Sequence, residues 1–323
     1  MTHILVVGAG SIGQRHIKNL IELGVERVSV VETNLSRFEL QSQKDNPQIQ
    51  HYFYLQSALD TKPDAAIVAV PTHLHIQVAE KILAQLPIPL FIEKPVAHNL
   101  PAAMNLAGFD SKIVIGYSLR FHPALEIIRI LLSQIGTPLY ARAEVGQYLP
   151  DWHPTEDYRN WYMAHENQGG GALLDLSHEI DYMRWLFGGI HNAKGIVDQT
   201  SDLEINSDDI AEFNCIFGRD GTIGSIHMDL IDRSYNRRLR ILGSEGTIDW
   251  SYNQVEVGLF LDASKEPMYI KYDPDRNIQF IEEMRTFVKL VETGELDERF
   301  STLEDGIEVL KVVDELKRQN GRG

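Results

Sequence analysis

Residues Ile4 to Val7 form a short apolar run that meets Gly8-Ala9-Gly10-Ser11-Ile12-Gly13, after which Ile17, Leu20, Ile21 and Leu23 recur at helical spacing. A chain that passes in this way from a strand through a glycine turn into a helix has little choice of fold at its start. The first glycine permits the tight bend and the second lets a pyrophosphate approach the backbone. The third lets the helix pack on the strand with its amino end toward the phosphates. Glycine turns are common, so the surrounding pattern has to support this one.

It does. Val28-Ser29-Val30-Val31 reads as a second strand and ends in Glu32, nineteen residues after Gly13. A carboxylate there accepts both hydroxyls of an adenosine ribose and repels a 2'-phosphate, which favours NAD over NADP. Arg37 is placed to receive a phosphate, so NADP stays open. Strands at Ala65 to Val70, Ile88 to Ile92 and Ile113 to Gly116 alternate with helices at His73 to Leu83 and near Pro101 to Leu106. This is the pattern of a doubly wound parallel sheet, whose ligands bind at the carboxyl ends of the strands. Pro71, Thr72 and His75 follow one such end, and Glu93-Lys94-Pro95 follows the next.

Beyond Arg120 the texture changes. A helix at His122 to Ser133 and a strand at Leu139 to Gln147 precede a loop from Tyr148 to Gln168, and Gly169-Gly170-Gly171 then opens a helix to Phe187. Seven strands follow between Ala193 and Tyr272, several separated by turns such as Arg219-Asp220-Gly221 and Ser244-Glu245-Gly246. Short turns between strands predict a mostly antiparallel sheet. The fold class is therefore α/β, with a Rossmann domain at 1–120 and an α+β domain carrying a large antiparallel sheet at 121–323. Two helices close the chain, the second begun by Ser301 and Glu304 as a capping box, and they are placed to pack back on the first domain.

Composition excludes several classes. The net charge of -16 argues against a nucleic-acid partner. No apolar run is long enough to span a bilayer, and the chain enters a strand directly after Met1-Thr2-His3, so a cytoplasmic protein without membrane partners is expected. The single cysteine, Cys215, lies in an apparent strand and reads as a buried inert thiol. His73 and His75 are close in sequence, but no metal-ligand spacing such as HExxH occurs, so no metal is expected.

The glycine turn with Arg15-His16, the Pro71-Thr72 and His75 strand end, Glu93-Lys94-Pro95, Gly116-Tyr117-Ser118-Leu119-Arg120-Phe121, and Gly169-Gly170-Gly171 leading to Asp175 and His178 occur in an order that resembles the Gfo/Idh/MocA family. The resemblance implies a nicotinamide-dependent oxidoreductase acting on a sugar, cyclitol or similar polyol. It implies that Lys94, His178 and Asp175 are catalytic, and that Gly8, Gly10, Ser11, Ile12, Gly13, Glu32, Pro71, Thr72, His75 and Glu93 bind the cofactor. His75 would meet a ribose or phosphate, Tyr117 would contact substrate, and the large sheet would face a partner subunit in a homodimer or homotetramer. Chemistry supports Lys94 separately. Hydride transfer at a carbinol carbon needs a proton donor and acceptor at the oxygen, and a lysine at a strand end beside the cofactor can be one.

The helix after Gly171 departs from the family pattern. Members more often show Asp-x-x-x-His, whereas this chain has Asp175-x-x-His178, so both side chains reach the usual positions only if the helix is locally irregular. Projection places Leu173, Leu176, Ile180, Met183 and Phe187 on a sheet-facing stripe. Asp175, His178, Tyr182 and Trp185 fall opposite, as a pocket wall or subunit contact. In the loop before it, Trp152, His153, Tyr158 and Trp161 either stack on sugar faces or anchor the loop, and Arg159 or Arg120 is available to clamp a carboxylate or phosphate. This loop resembles those of members associated with bacterial surface-polysaccharide sugars. The expected activity is NAD-dependent hydride transfer on a sugar hydroxyl. Two alternatives share its parts: an enzyme that retains the cofactor through oxidation, elimination and reduction, and a non-catalytic NAD sensor.

Overall fold

Every residue of β1 (His3–Val7) is buried, as a strand with helices on both faces of its sheet requires. β2 (Arg27–Val31), β3 (Ile49–Tyr52), β4 (Ala65–Val68), β5 (Leu90–Glu93) and β6 (Ile113–Gly116) pair in parallel around it in the order β6-β5-β4-β1-β2-β3. The computed structural model describes residues 2–34, 46–152, 154, 156–218, 221–261 and 266–322; Arg37, His153 and the Arg219-Asp220 turn lie outside these. The chain divides into two compact units, Met1–Phe121 with Asn277–Ile307, and His122–Arg276 with Glu308–Gly323.

In the first unit the strand order reverses between β1 and β4, the switch point at which such sheets take their ligands. Helices α1 (Ser11–Glu22), α2 (Leu55–Leu59), α3 (His75–Leu83) and α4 (Leu100–Met104) connect the strands. Ile17 and Leu20 of α1 join Ile4, Val6, Val28, Val30, Ile67 and Phe91 in one core, with Met284, Phe287 and Leu290 from the helix Ile278–Thr293. Three elements go beyond the sequence reading, one of them the short helix α2. β3 is a four-residue strand with a single aliphatic side chain, too short to show alternation. Ser301–Thr302 pairs antiparallel with β6 at the sheet edge. The capping box consequently moves one residue on: the Asp305 amide donates to Thr302 Oγ1 at 3.2 Å, and Asp305 Oδ2 accepts from the Thr302 amide at 3.1 Å.

In the second unit, β7 (Pro138–Gly146), β8 (Ile190–Asp198), β9 (Ile210–Phe217), β10 (Thr222–Asp229), β11 (Asn236–Gly243), β12 (Thr247–Ser251), β13 (Glu256–Phe260) and β14 (Met268–Lys271) form one sheet in the order β14-β13-β12-β11-β7-β10-β9-β8. All pairs are antiparallel except β7 with β10. Helices α5 (Pro123–Leu131), α6 (Ala172–Asp175) and α7 (His178–Phe187) pack on one face. Alternation then buries Ala211, Phe213, Cys215 and Phe217 of β9, and burial pushes the Cys215 thiol up to about 12. On the other face the cross-strand pair Ile216 and Ile223 is exposed. Among the described residues no helix is long and apolar enough to cross a membrane.

That open face also holds a polar network. His227 Nδ1 lies 2.8 Å from Glu212 Oε2 and its Nε2 lies 2.9 Å from Asp229 Oδ2. The ring can donate from both nitrogens only when protonated. The bond to Asp229, with Glu212 adding to it and partial burial opposing, raises its pKa above the usual 6.5. A raised folded-state pKa contributes stability that is full below the unfolded value and is lost as pH rises through the folded one. Denaturant unfolding from pH 6 to 9 should therefore show wild type losing more stability than His227→Gln; equal losses would show that the pair is not linked to folding.

Candidate functional site

The turn after β1 is shaped by close approach. Gly8 has φ +98°, and a Cβ there would lie 2.5 Å from the Ala69 carbonyl oxygen. At Gly13 a Cβ would lie 2.0 Å from the Gly8 oxygen, whereas nothing lies within 4 Å of one at Gly10. Two of the glycines are thus required by the protein's own packing, and the third faces open space. Gly10 is the N-cap of α1 and supplies no side-chain cap bond, and no acidic residue occupies the first turn. The amide donors at the start of this twelve-residue helix, near Ser11 and Ile12, are therefore oriented to receive a phosphate. Glu32 is buried at the end of β2, where its Oε2 accepts from the Ala9 amide at 2.9 Å and its Oε1 from the Asn34 amide at 2.8 Å. These bonds aim a carboxylate along the turn, as binding the hydroxyls of an adenosine ribose requires.

Lys94 follows β5 and is half-buried, between a buried Glu93 and a buried Pro95 joined to it by a cis peptide bond. Glu93 Oε1 is 2.6 Å from His16 Nε2, and its Oε2 accepts from the Lys94 amide at 3.2 Å. Pro71 is exposed and Thr72 is buried in the short helical turn before α3. His75 departs from the cofactor contact expected of it. Its ring is 1% exposed, with Nδ1 2.9 Å from the Pro95 oxygen and Nε2 2.8 Å from the Val70 oxygen. Burial holds its pKa below 6.5, with the Val70 and Pro95 carbonyls pulling the other way, and the ring sits between two main-chain segments. Arg120 also differs from the anion clamp it was expected to be. It is 2% exposed, bonds the Phe300 carbonyl at 3.2 Å and lies 3.5 Å from Asp305 Oδ2. Tyr117 beside it is 1% exposed.

In the second unit, Asp175 ends α6 and His178 starts α7. Between them, the Ser177 amide bonds the Leu174 oxygen and the Glu179 amide bonds the Leu176 oxygen, each at 3.3 Å and each one residue shorter than an α-helical bond. Tightened winding turns about 120° per residue against about 100° in an α-helix, so a three-residue step approaches a full turn. The local irregularity that the Asp175 to His178 spacing calls for is thus present between the two residues. Tyr162 Oη donates to Asp175 Oδ1 at 2.8 Å, a partner not anticipated from the sequence.

The glycine triplet has a structural reason of its own. Gly171 has φ +114°, and a Cβ there would lie 2.4 Å from Asp208 Oδ1. Asp208 is fully buried, accepts from the Leu173 amide at 2.8 Å, and is raised in pKa by burial, with Lys317 opposing. Ser207 Oγ donates to the Met163 oxygen at 2.8 Å, and the Asn206 amide to the Ala164 oxygen at 2.9 Å. The strap 206–208 thereby holds both Tyr162's neighbours and the start of α6. No spacing in the sequence announces it, because its partners are some 35 to 44 residues away.

The helix and the loop correct two further expectations. Tyr182 is fully buried beside Glu179, which bonds Arg237 of β11 at 2.8 Å, so Tyr182 packs toward the sheet and lines no pocket, whereas His178 one turn before it is half-buried. Trp185 lies 5.0 Å from the Arg129 guanidinium of α5. Arg159 bonds Asp157 through Nε at 2.8 Å and Glu204 through Nη1 at 2.9 Å, which commits it within the loop. Tyr158 Oη accepts from the Glu204 amide at 3.2 Å, and Trp152 Nε1 donates to the Gln147 oxygen at 3.3 Å. These polar atoms anchor the loop.

Comparison with known proteins matches residues 2–109 to an oxidoreductase family with an NAD-binding Rossmann fold, and residues 130–249 to the GFO/IDH/MocA C-terminal domain. The chain belongs to the Gfo/Idh/MocA family. Its amino-terminal domain is an NAD-binding Rossmann domain, as the glycine turn and Glu32 led us to expect. It is 31% identical over 151 residues to an Amycolatopsis mediterranei protein assigned by name to the oxidoreductase subunit of UDP-kanosamine synthase; the match spans 45% of this chain and 40% of that protein. Among solved structures, a levoglucosan dehydrogenase in complex with NADH superposes with a TM-score of 0.85 at 19% identity, covering 99% of this chain and 97% of that one. The UDP-N-acetylglucosamine 3-dehydrogenase of Acidithiobacillus ferrooxidans gives a TM-score of 0.79 at 18% identity, covering 99% and 97%.

The glycines separate packing from binding in one experiment. Gly13→Ala should lower thermal stability by several degrees, because its Cβ meets a backbone oxygen. Gly10→Ala should leave the melting temperature near wild type and weaken NAD binding about tenfold, as one lost charged hydrogen bond of roughly 1.5 kcal/mol would. Unchanged NAD affinity in Gly10→Ala would remove the pyrophosphate from this turn.

Proposed function

We propose that this chain is an NAD-dependent dehydrogenase that oxidises a secondary hydroxyl of a sugar or nucleotide sugar, or runs the reverse reduction. The observation that carries this reading is Lys94, presented at the carboxyl end of β5, one strand from the switch point, with both neighbouring residues held by hydrogen bonds. Bound NAD would supply the hydride acceptor. Lys94, as a neutral amine, takes the hydroxyl proton while the carbon's hydrogen leaves with its electron pair and a carbonyl forms. Glu32 and the amides near Gly10 to Ile12 bind and orient the dinucleotide. Glu32 disfavours a 2'-phosphate, so NAD is preferred over NADP.

Asp175, supported by Tyr162, and His178 are the proposed substrate-facing groups of the second unit, with His178 sharing in proton transfer. A sugar substrate agrees with the names of the related proteins, and the likeness of the aromatic loop to those of surface-polysaccharide enzymes adds nucleotide sugars to the choice. Mixing the protein with NAD and, separately, levoglucosan, UDP-N-acetylglucosamine, UDP-glucose, inositols and uronic acids should produce NADH absorbance with at least one. Lys94→Ala should then lower kcat about 10²- to 10⁴-fold. Wild-type turnover in that variant would refute the assignment, and product formation with only catalytic NAD would replace the dehydrogenase reading with the cofactor-retaining one.

The exposed sheet face supports a homo-oligomer as a further part of this reading. Ile196, Ile216 and Ile223 are 62%, 37% and 55% exposed, around the polar network of His227. A second copy of this chain, in a homodimer or a homotetramer, is the proposed partner. Light scattering should give a mass of at least twice 36.7 kDa, and Ile223→Arg should shift it toward 36.7 kDa. A wild-type mass of one chain would contradict the proposal.

A further inference from the structure

His16 is a polar residue where α1 would otherwise present an apolar side chain. It lies three residues after Gly13 and is completely buried, with its ring centroid 5.3 Å from that of Phe91. Its Nε2 is 2.6 Å from Glu93 Oε1, while its Nδ1 has no hydrogen-bond partner among the described residues. A carboxylate has no proton to give, so the proton of this bond sits on Nε2 and points at Glu93. Burying a carboxylate is costly unless donors meet it, and among the described residues the His16 ring and the Lys94 amide do so. Gly116 on the neighbouring strand leaves room for the Phe91 ring and for this carboxylate, since a Cβ there would lie 2.8 Å from Phe91 Cζ and 3.2 Å from Glu93 Cδ.

On the other side of Lys94, His75 of α3 faces the Pro95 carbonyl at 2.9 Å. Two histidines on two different helices therefore hold the residues before and after the lysine. Of the two, His16 belongs to the helix whose first turn carries the phosphate-facing amides. We infer that His16 is a positioning residue for Lys94: through Glu93 it ties the nucleotide-binding helix to the peptide that presents the amine. The inference rests on the role proposed above for Lys94. It assigns His16 to the rate of the chemical step, with little share in binding.

The test compares wild type with His16→Phe, which keeps the ring and its contact with Phe91 but cannot donate, and with His16→Gln, whose amide can donate toward Glu93. Each is measured for melting temperature, NAD affinity by calorimetry, kcat and KM with the responsive sugar of the panel, and hydrogen exchange of the peptide spanning residues 90–97. His16→Phe should keep NAD affinity and sugar KM within about threefold, lose about 10- to 100-fold in kcat, as small misplacements of a reacting group do, and exchange faster at residues 90–97. His16→Gln should recover most of that kcat and most of the protection. The inference is overturned if His16→Phe has wild-type kcat and wild-type exchange, or if His16→Gln is as impaired as His16→Phe. If Lys94→Ala is fully active, the proposed function is what fails, and the exchange measurement still decides whether His16 anchors the segment.

Discussion

A side chain at residue 13 would collide with the carbonyl oxygen of residue 8, and one at residue 8 would collide with the carbonyl oxygen of residue 69. This contact of α1 with β1 and β4 is the constraint on which the first unit depends. It brings the helix start to the switch point of the sheet and leaves only Gly10 facing open space. It also sets His16 against Glu93. The same packing that shapes the glycine turn therefore reaches the segment that carries Lys94. Glu32 completes the arrangement from β2, held by an amide of the turn itself.

The second unit uses a different device. A strap, Asn206 to Asp208, buried at Ser207 and Asp208, takes up main-chain groups of residues 163–173, so that a chain segment with few regular bonds of its own has a fixed course. Helix winding then tightens at Leu176 and Ser177, between Asp175 and His178. Shortening a helical motif by one residue does not have to rotate its members apart when the backbone can exchange two α-helical bonds for shorter ones.

What could be read from the sequence follows from how local the determinants are. The parallel sheet, its glycine turn and the antiparallel sheet were legible because period and turn residues act over a few positions; Ile210 to Phe217 was placed to the residue. Lys94 was legible as a motif at a strand end. Partners were not. Arg120 meets a carbonyl 180 residues away, His75 meets one 20 residues away, and Arg159 meets Glu204 45 residues on. Arg120 read as available because its partner lies far along the chain, whereas Arg159 also bonds Asp157 two residues before it and His75 the Val70 carbonyl five residues before it, contacts that residue type and spacing do not announce. The strap and the His16 to Glu93 bond escaped for the same reason, since 77 residues separate that pair. The capping box was misplaced by one residue because Ser301 and Thr302 each offer a hydroxyl three residues before a carboxylate, so the sequence alone does not decide between them.

The central claim is that one crevice at the carboxyl ends of β1, β2 and β5 takes a nicotinamide dinucleotide and points its reactive ring at Lys94. A crystal structure of this protein with NAD tests it most directly. The account predicts the pyrophosphate on the amides that follow Gly10, the adenosine ribose hydroxyls on Glu32, and the nicotinamide ring beside the Lys94 amine. A dinucleotide bound elsewhere, or bound here with its nicotinamide ring turned away from Lys94, would contradict it.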